Sequence, residues 1–162
     1  ISGIYETLVN RTGGAVMQQN LELLGPLSYT EAENEFGKKI QAATGKPQVG
    51  MDSAIRPLEE TRENSGGGST DVGDVSWNVP NINLGVTVAP KDTPWHSWAV
   101  VACGGMSIGH KGMIHAAKAM GMTMVDLFDN PKLVAKVKAE YKMRKGDEVY
   151  EPMIDGPAPI NQ

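Results

Sequence analysis

The segment 66–74 combines three consecutive glycines with hydroxyl and acidic side chains, a composition suited to binding an anion. Ser69, Thr70 and Asp71 follow the glycines at a predicted helix start, where outward-pointing backbone N–H groups favour a negative ligand. This pattern favours a turn that binds a carboxylate or a phosphate. The alternative is a flexible loop capped by one of these three side chains. A P-loop is excluded, because the Lys that would follow its last glycine is missing from the sequence.

The segment 94–98 offers one candidate metal ligand, His96, which lies between Trp95 and Trp98. Imidazole is the commonest metal ligand at neutral pH. A catalytic zinc site, however, needs about three protein ligands, and neither a Cys nor a second His lies close by in the sequence. Two interpretations stay open: one ligand of a larger metal site, or a histidine stacked in an aromatic-rich surface.

The other two histidines and the single cysteine are weaker candidates. His110 and His115 are five residues apart, which on a helix separates them by about 140° and makes a shared ion difficult. We interpret them as structural or surface residues, with Lys111 as a candidate anion contact. Cys103 lies in an apolar run, which raises a thiol pKa, so it is a poor nucleophile.

Apolar spacing of three and four residues predicts four helices to position these segments. Thr30 and Glu33 have the spacing of a capping box, and Pro131 favours a helix start at that residue. The predicted helices cover residues 7–24, a segment from 30 that Gly45 ends, residues 107–128, and a segment from 131 that Gly146 ends.

Two segments predict β-strands, and a long stretch between the helices has no period. Apolar and other residues alternate from 82 to 89, and a second β-like run covers 98–103. Residues 45–70 are irregular, which is typical of a binding loop or of a linker. Since two strands cannot make an independent sheet, we expect an α/β fragment whose strands have partners elsewhere.

Charge and length exclude several kinds of partner. The chain has 162 residues, with 19 Asp and Glu against 15 Lys and Arg, and this net charge of −4 argues against nucleic acid or an anionic membrane as a partner. No stretch approaches the roughly 18 apolar residues of a membrane span. One cysteine excludes an internal disulfide and favours the cytoplasm. The length fits one domain or a large piece of one, and the start at Ile1 suggests a processed or excised piece.

Three motifs, taken in order, resemble a known family. They are residues 69–77, the triplet 96–98 and residues 107–113. Together they resemble the C-terminal part of the aminobenzoyl-glutamate utilization protein B family of amidohydrolases, in the di-metal aminoacylase and carboxypeptidase G superfamily. The resemblance extends over nearly the whole chain and is densest between residues 66 and 119.

The resemblance implies a fold and a chemistry. The expected fold is a partial α/β sandwich with helices packed on a few strands of a mixed sheet. Residues 1–162 would be the C-terminal part of the catalytic domain, with the junction to a lid domain at the N-terminal end. The family hydrolyses amides with two divalent ions, and a Glu acts as general base.

By the same resemblance, His96 is the last metal ligand, and Ser69, Thr70 and Asp71 line the substrate pocket. The other ligands and the base would come from an N-terminal half, so this chain holds no catalytic residue of its own. The expected parent is a cytoplasmic, homodimeric hydrolase of p-aminobenzoyl-glutamate, similar N-acyl amino acids or dipeptides, using zinc, manganese or cobalt. We expect the isolated chain to be inactive and to bind metal weakly. The alternative is a non-catalytic anion-binding or oligomerisation module.

Overall fold

The computed structural model of the protein describes residues 3–58 and 68–153. These residues form six α-helices joined by extended or irregular segments. The helices are α1 Arg11–Leu24, α2 Glu31–Ala43, α3 Val72–Ser76, α4 Trp98–Gly104, α5 Ser107–Asp129 and α6 Pro131–Lys145. The four helices predicted from the sequence are therefore confirmed as α1, α2, α5 and α6.

Local capping explains where these helices begin. The capping box predicted for α2 is present: the Thr30 hydroxyl accepts from the Glu33 N–H at 3.2 Å, and the Glu33 carboxylate accepts from the Thr30 N–H at 2.7 Å. Asn10 caps α1 by accepting from the Gly13 N–H at 2.8 Å. Asn130 caps α6 in the same way, with Pro131 in the first turn.

The main core lies where α1 packs on α5. Met17 and Leu21 of α1 are buried with Ala119 of α5. Partly buried side chains of α1 and of the segments outside the helices pack against this cluster. They are Leu24, Ile55, Ile82, Leu84 and Val86. A smaller cluster joins Ile40 of α2 to Ala99 and Cys103 of α4. The extended segment 82–88 therefore covers one side of the α1–α5 pair.

The predicted α/β sandwich on a mixed sheet is wrong. The structure is 54% helix and 1% strand, with no sheet among its described residues. One isolated parallel bridge joins Val9 to Asn81. The alternating side chains of residues 82–88 do turn one face to the core, since Ile82, Leu84 and Val86 pack there, but no described segment pairs with them as a strand.

The second predicted strand, residues 98–103, is also wrong, because this segment is helix α4. The Ser97 hydroxyl caps it, accepting from the Ala99 N–H at 3.3 Å. Ala99 and Cys103 are both fully buried while Trp98 and Val101 are exposed, which is the four-residue spacing of a helix face. β-Branched residues and a Trp favour a strand only where a sheet surface is available.

The long segment after α2 is irregular where it is described. Residues 46–58 form neither helix nor strand, as predicted. Residues 59–67, which include Gly66 and Gly67 of the glycine-rich turn, lie outside the described residues. Ile1, at the predicted lid junction, lies outside them as well. No helix in the described ranges is both long enough and apolar enough to cross a membrane.

Candidate functional site

The predicted metal ligand, His96, lies in a tight turn between the extended segment and α4. Asp92 and His96 both adopt left-handed backbone conformations, with φ of 62° and 58°. This conformation costs a residue other than glycine about 1–2 kcal/mol and persists where the surroundings determine it. Those surroundings include two short side-chain bonds: the Thr93 hydroxyl donates to the Pro90 carbonyl and the Ser97 hydroxyl to the Pro94 carbonyl, both at 2.6 Å.

A buried amide side chain connects this turn to α2. Gln41 is 1% exposed, and its Nε2 donates to the carbonyls of Lys91 at 3.1 Å and Gly50 at 3.3 Å. Its Oε1 accepts from the Gly50 N–H at 2.8 Å. One side chain therefore holds two loops that are 41 residues apart along the chain (91 − 50 = 41). This arrangement positions the start of the His96 turn.

The imidazole of His96 is accessible. The residue is exposed, and so are its aromatic neighbours Trp95 (69%) and Trp98 (57%). Among the described residues no side chain or backbone group hydrogen-bonds this imidazole, so a nitrogen is available to a ligand. An exposed, conformationally strained histidine is consistent with a functional role.

The described residues do not assemble a metal centre around His96. Nowhere in 3–58 or 68–153 do three or more His, Cys, Asp or Glu side chains come together as a potential metal site. A two-metal centre needs several such donors, and His96 is the one ligand that the resemblance assigns to this part of the chain. The described donor set therefore does not fit the metals by itself, and the role of His96 stays a prediction.

The predicted substrate-binding residues Ser69, Thr70 and Asp71 are exposed and precede α3. Thr70 bonds to the first turn: its hydroxyl accepts from the Val72 N–H at 3.3 Å and its carbonyl from the Gly73 N–H at 3.1 Å. The Asp71 side chain makes no capping bond. Asp71 and its neighbours are accessible to a ligand, but their role in substrate binding stays a prediction.

The second half of the same motif has a structural task. The Ser76 hydroxyl accepts from the Leu8 N–H at 2.8 Å, and the Trp77 indole N–H donates to the Glu6 carbonyl at 2.9 Å. Gly73 lies directly against the Tyr5 backbone, where a side chain would collide. These contacts attach α3 to the N-terminal segment.

The third motif forms a network with Glu33 that sequence reasoning missed. The Ser107 hydroxyl donates to Glu33 Oε1 and the Lys111 ammonium to Glu33 Oε2, both at 2.6 Å. Lys111 also donates to the Ser28 carbonyl at 2.9 Å. The bonds from Lys111, Ser107 and Thr30 lower the pKa of Glu33 to about 2. Lys111 does contact an anion, and that anion is a residue of this chain.

The two predicted site segments do not share a cavity. A groove of about 1250 Å³ runs beside α1 and along residues 81–93. Trp95 lines this groove, whereas neither His96 nor the 69–71 turn does. Cys103 is buried away from it, and burial raises the pKa of its thiol. The predicted metal ligand therefore directly follows a residue that lines this groove, and the predicted substrate turn does not line it.

Comparison with known proteins finds a relative that is named as a hydrolase subunit. The chain is 32% identical over 168 aligned positions to a p-aminobenzoyl-glutamate hydrolase subunit of Escherichia coli (strain K12). The match covers 88% of this chain and lies in the C-terminal part of that protein. The chain spans about a third of the relative's length, 35%. The resemblance predicted from the three motifs is thus confirmed. No family model and no solved structure matches the chain.

Proposed function

We propose that the chain is part of a metal-dependent hydrolase that cleaves the amide bond of p-aminobenzoyl-glutamate or of similar N-acyl amino acids or dipeptides. The observation that carries the proposal is the identity of 32%, extending over 88% of the chain, to a protein named as a p-aminobenzoyl-glutamate hydrolase subunit. That relative is named as a subunit, which agrees with a chain that functions together with other polypeptide segments.

In this proposal His96 donates one imidazole nitrogen to a divalent ion: zinc, manganese or cobalt. Two such ions, when bound by the complete protein, would supply Lewis-acid chemistry for the hydrolysis. Two observations support the role of His96, namely its exposed ring and the hydrogen-bonded turn that fixes its backbone. The exposed polar groups of Ser69, Thr70 and Asp71 would bind the carboxylate of the substrate.

The proposal requires an N-terminal half of the same protein to supply the other ligands and the general base. The parent would be a homodimer in the cytoplasm, its location being inferred from the single cysteine. In this proposal the chain contributes one metal ligand, His96, so we expect the isolated chain to be inactive and to bind metal weakly. A carboxylate-binding or oligomerisation module without catalysis is the alternative.

Histidine NMR tests this proposal directly, because the chain has only three histidines. In a titration with Zn²⁺ we expect the His96 ring signal to shift, with weak affinity, before those of His110 and His115. His96→Gln should abolish this first response, whereas His110→Gln, the matched control, should leave it intact. Submicromolar zinc affinity of the isolated chain would contradict the proposed sharing of ligands.

The activity part of the proposal is tested by glutamate release from p-aminobenzoyl-glutamate. We expect none from the isolated chain with zinc, manganese or cobalt, and release once the N-terminal half is supplied. His96→Gln in the complete protein should remove that activity. If the complete protein is inactive, the hydrolase proposal is wrong. If activity survives His96→Gln, the role of His96 is wrong. Light scattering on the isolated chain tests the alternative of an oligomerisation module, because it measures the oligomeric state.

A further inference from the structure

We propose that a cavity on the N-terminal half of α5 binds a small organic carboxylate through Lys118, His110 and His115. This site is separate from the predicted metal ligand and from the 69–71 turn. It does not depend on the hydrolase proposal, since none of its residues is given a role there.

The cavity is formed by one stripe of α5 and by the connection between α1 and α2. It is an open depression of about 390 Å³, a volume within the range of small-molecule sites. The α5 residues follow each other at spacings of three, one, three, one and three, so they share one face of the helix. The lining residues are Leu27, Ser107, His110, Lys111, Ile114, His115 and Lys118.

The charge of the lining is positive, in a chain whose net charge is −4. Two lysines and two histidines face the cavity, and no Asp or Glu belongs to its described lining. Glu33 lies behind the lining and is fully occupied by Lys111, Ser107 and Thr30. It therefore neutralises Lys111 without neutralising the rest of the cavity.

The remaining donors are available to a ligand. Within the described part of the chain, Lys118, His110 and His115 have neither an ion-pair partner nor a hydrogen bond from their side chains. A lysine ammonium carries three N–H donors, and a neutral imidazole still carries one. Charge-assisted hydrogen bonds from such groups to a carboxylate are the stronger kind.

The apolar part of the lining indicates the rest of the ligand. Leu27 and Ile114 lie in the same cavity as the cationic groups, and half of the Ile114 surface, 51%, is exposed. An inorganic anion would leave these side chains in water. A carboxylate with a small apolar or aromatic body uses both parts of the lining, so we infer this chemical class.

Benzoate is the probe for the test, and the ring signals of His110 and His115 are the readout. We expect benzoate to shift both signals saturably in the millimolar range and to leave His96 unaffected. Benzamide, which has the same body without the charge, should give no saturable shift. Inorganic phosphate, which has the charge without the body, should bind more weakly than benzoate.

Lys118→Gln is the informative variant, because Lys118 is exposed and its loss does not endanger folding. We expect benzoate affinity to fall roughly fivefold, the effect of one partly solvated charge-assisted bond. Lys136→Gln on α6, also exposed and outside the cavity, should bind benzoate as the parent chain does. Equal shifts from benzoate and benzamide, phosphate binding as tight as benzoate, or unchanged affinity in Lys118→Gln would each overturn the proposal.

Discussion

The buried carboxylate of Glu33 is the most informative place to perturb the fold. Glu33 is 8% exposed and bonds Lys111, Ser107 and the backbone of Thr30. Replacing it with glutamine keeps the size of the side chain but removes its charge. We expect Glu33→Gln to fold and to be less stable at neutral pH, because the Lys111 ammonium loses its counter-ion.

The pKa of Glu33 gives the magnitude. It falls from 4.5 to about 2 in the folded chain, and each pKa unit corresponds to about 1.4 kcal/mol, so the ionised form gains about 3 kcal/mol. Lys111 is one-third exposed, 33%, and solvent screens part of this gain. We therefore expect Glu33→Gln to lower the free energy of unfolding by about 2 kcal/mol and Tm by roughly 4–8 °C.

The sign of the pH dependence follows from the lowered pKa. A carboxylate with a depressed folded pKa stabilises the protein above its unfolded pKa of about 4.5, and this stabilisation is lost as pH falls toward about 2. Urea unfolding of the parent chain and of Glu33→Gln should therefore differ most at pH 7. The difference should shrink steadily below pH 4.5.

Glu35→Gln is the matched control on the same helix. Glu35 pairs with Lys38 at 2.7 Å, nearly the Glu33–Lys111 distance of 2.6 Å, but both members of this pair are exposed. Exposed pairs contribute little to stability, so Glu35→Gln should unfold as the parent chain does. An equal loss in the two variants, or a loss in Glu33→Gln that does not change with pH, would refute the buried ion pair.

Three further substitutions test positions on α5 and α6. Glu140→Gln should destabilise the chain by about 1–2 kcal/mol at pH 7. The reason is that this carboxylate on α6 accepts from the Arg11 and Thr12 N–H groups at 2.9 and 2.7 Å. Thermal unfolding followed by circular dichroism measures this loss of stability. Gly112→Ala should lower the free energy of unfolding by about 1–3 kcal/mol, because its Cβ would lie 2.6 Å from the carbonyl oxygen of residue 87. Gly121→Ala should instead raise the free energy of unfolding by up to about 1 kcal/mol. Urea unfolding measures both.

Each of these results has an outcome that would contradict it. Burial alone would raise the pKa of Glu140, but its hydrogen bonds, led by Thr12, lower it to about 2. The effect of Glu140→Gln should therefore disappear in acid, and an effect that persists there would indicate lost packing instead. Nothing lies within 4 Å of a Cβ at Gly121, so equal destabilisation by both alanines would contradict the close approach of α5 to the extended segment.

The helices could be predicted because their signals are local. Thr30 and Glu33 are three residues apart, and the caps of α1 and α6 involve residues equally close. The two predicted strands, by contrast, are not formed among the described residues. The apolar run at 98–103 follows Ser97, whose capping bond and the buried pair Ala99 and Cys103 favour a helix. Pairing depends on distant segments that periodicity does not reveal.

For the candidate site, too, local features could be predicted from the sequence and contacts between distant residues could not. The accessible position of His96 is consistent with its place in a proline-rich turn. The bond from Lys111 to Glu33 joins residues 78 apart, and no local spacing predicts such a contact. The helical separation of His110 and His115 argued against a shared ion, yet it allows both rings to line one cavity, because a cavity is wider than a coordination sphere.

The side chain of Gln41 has a consequence for local opening of the protein. Its amide holds the loops at Gly50 and Lys91 with three hydrogen bonds. Loosening the C-terminal turn of α2 would release both loops together, and with them the support under the strained histidine. The backbone at the start of the His96 turn thus depends on a helix far from it in sequence, so hydrogen exchange in the last turn of that helix and in the two loops should follow one common rate.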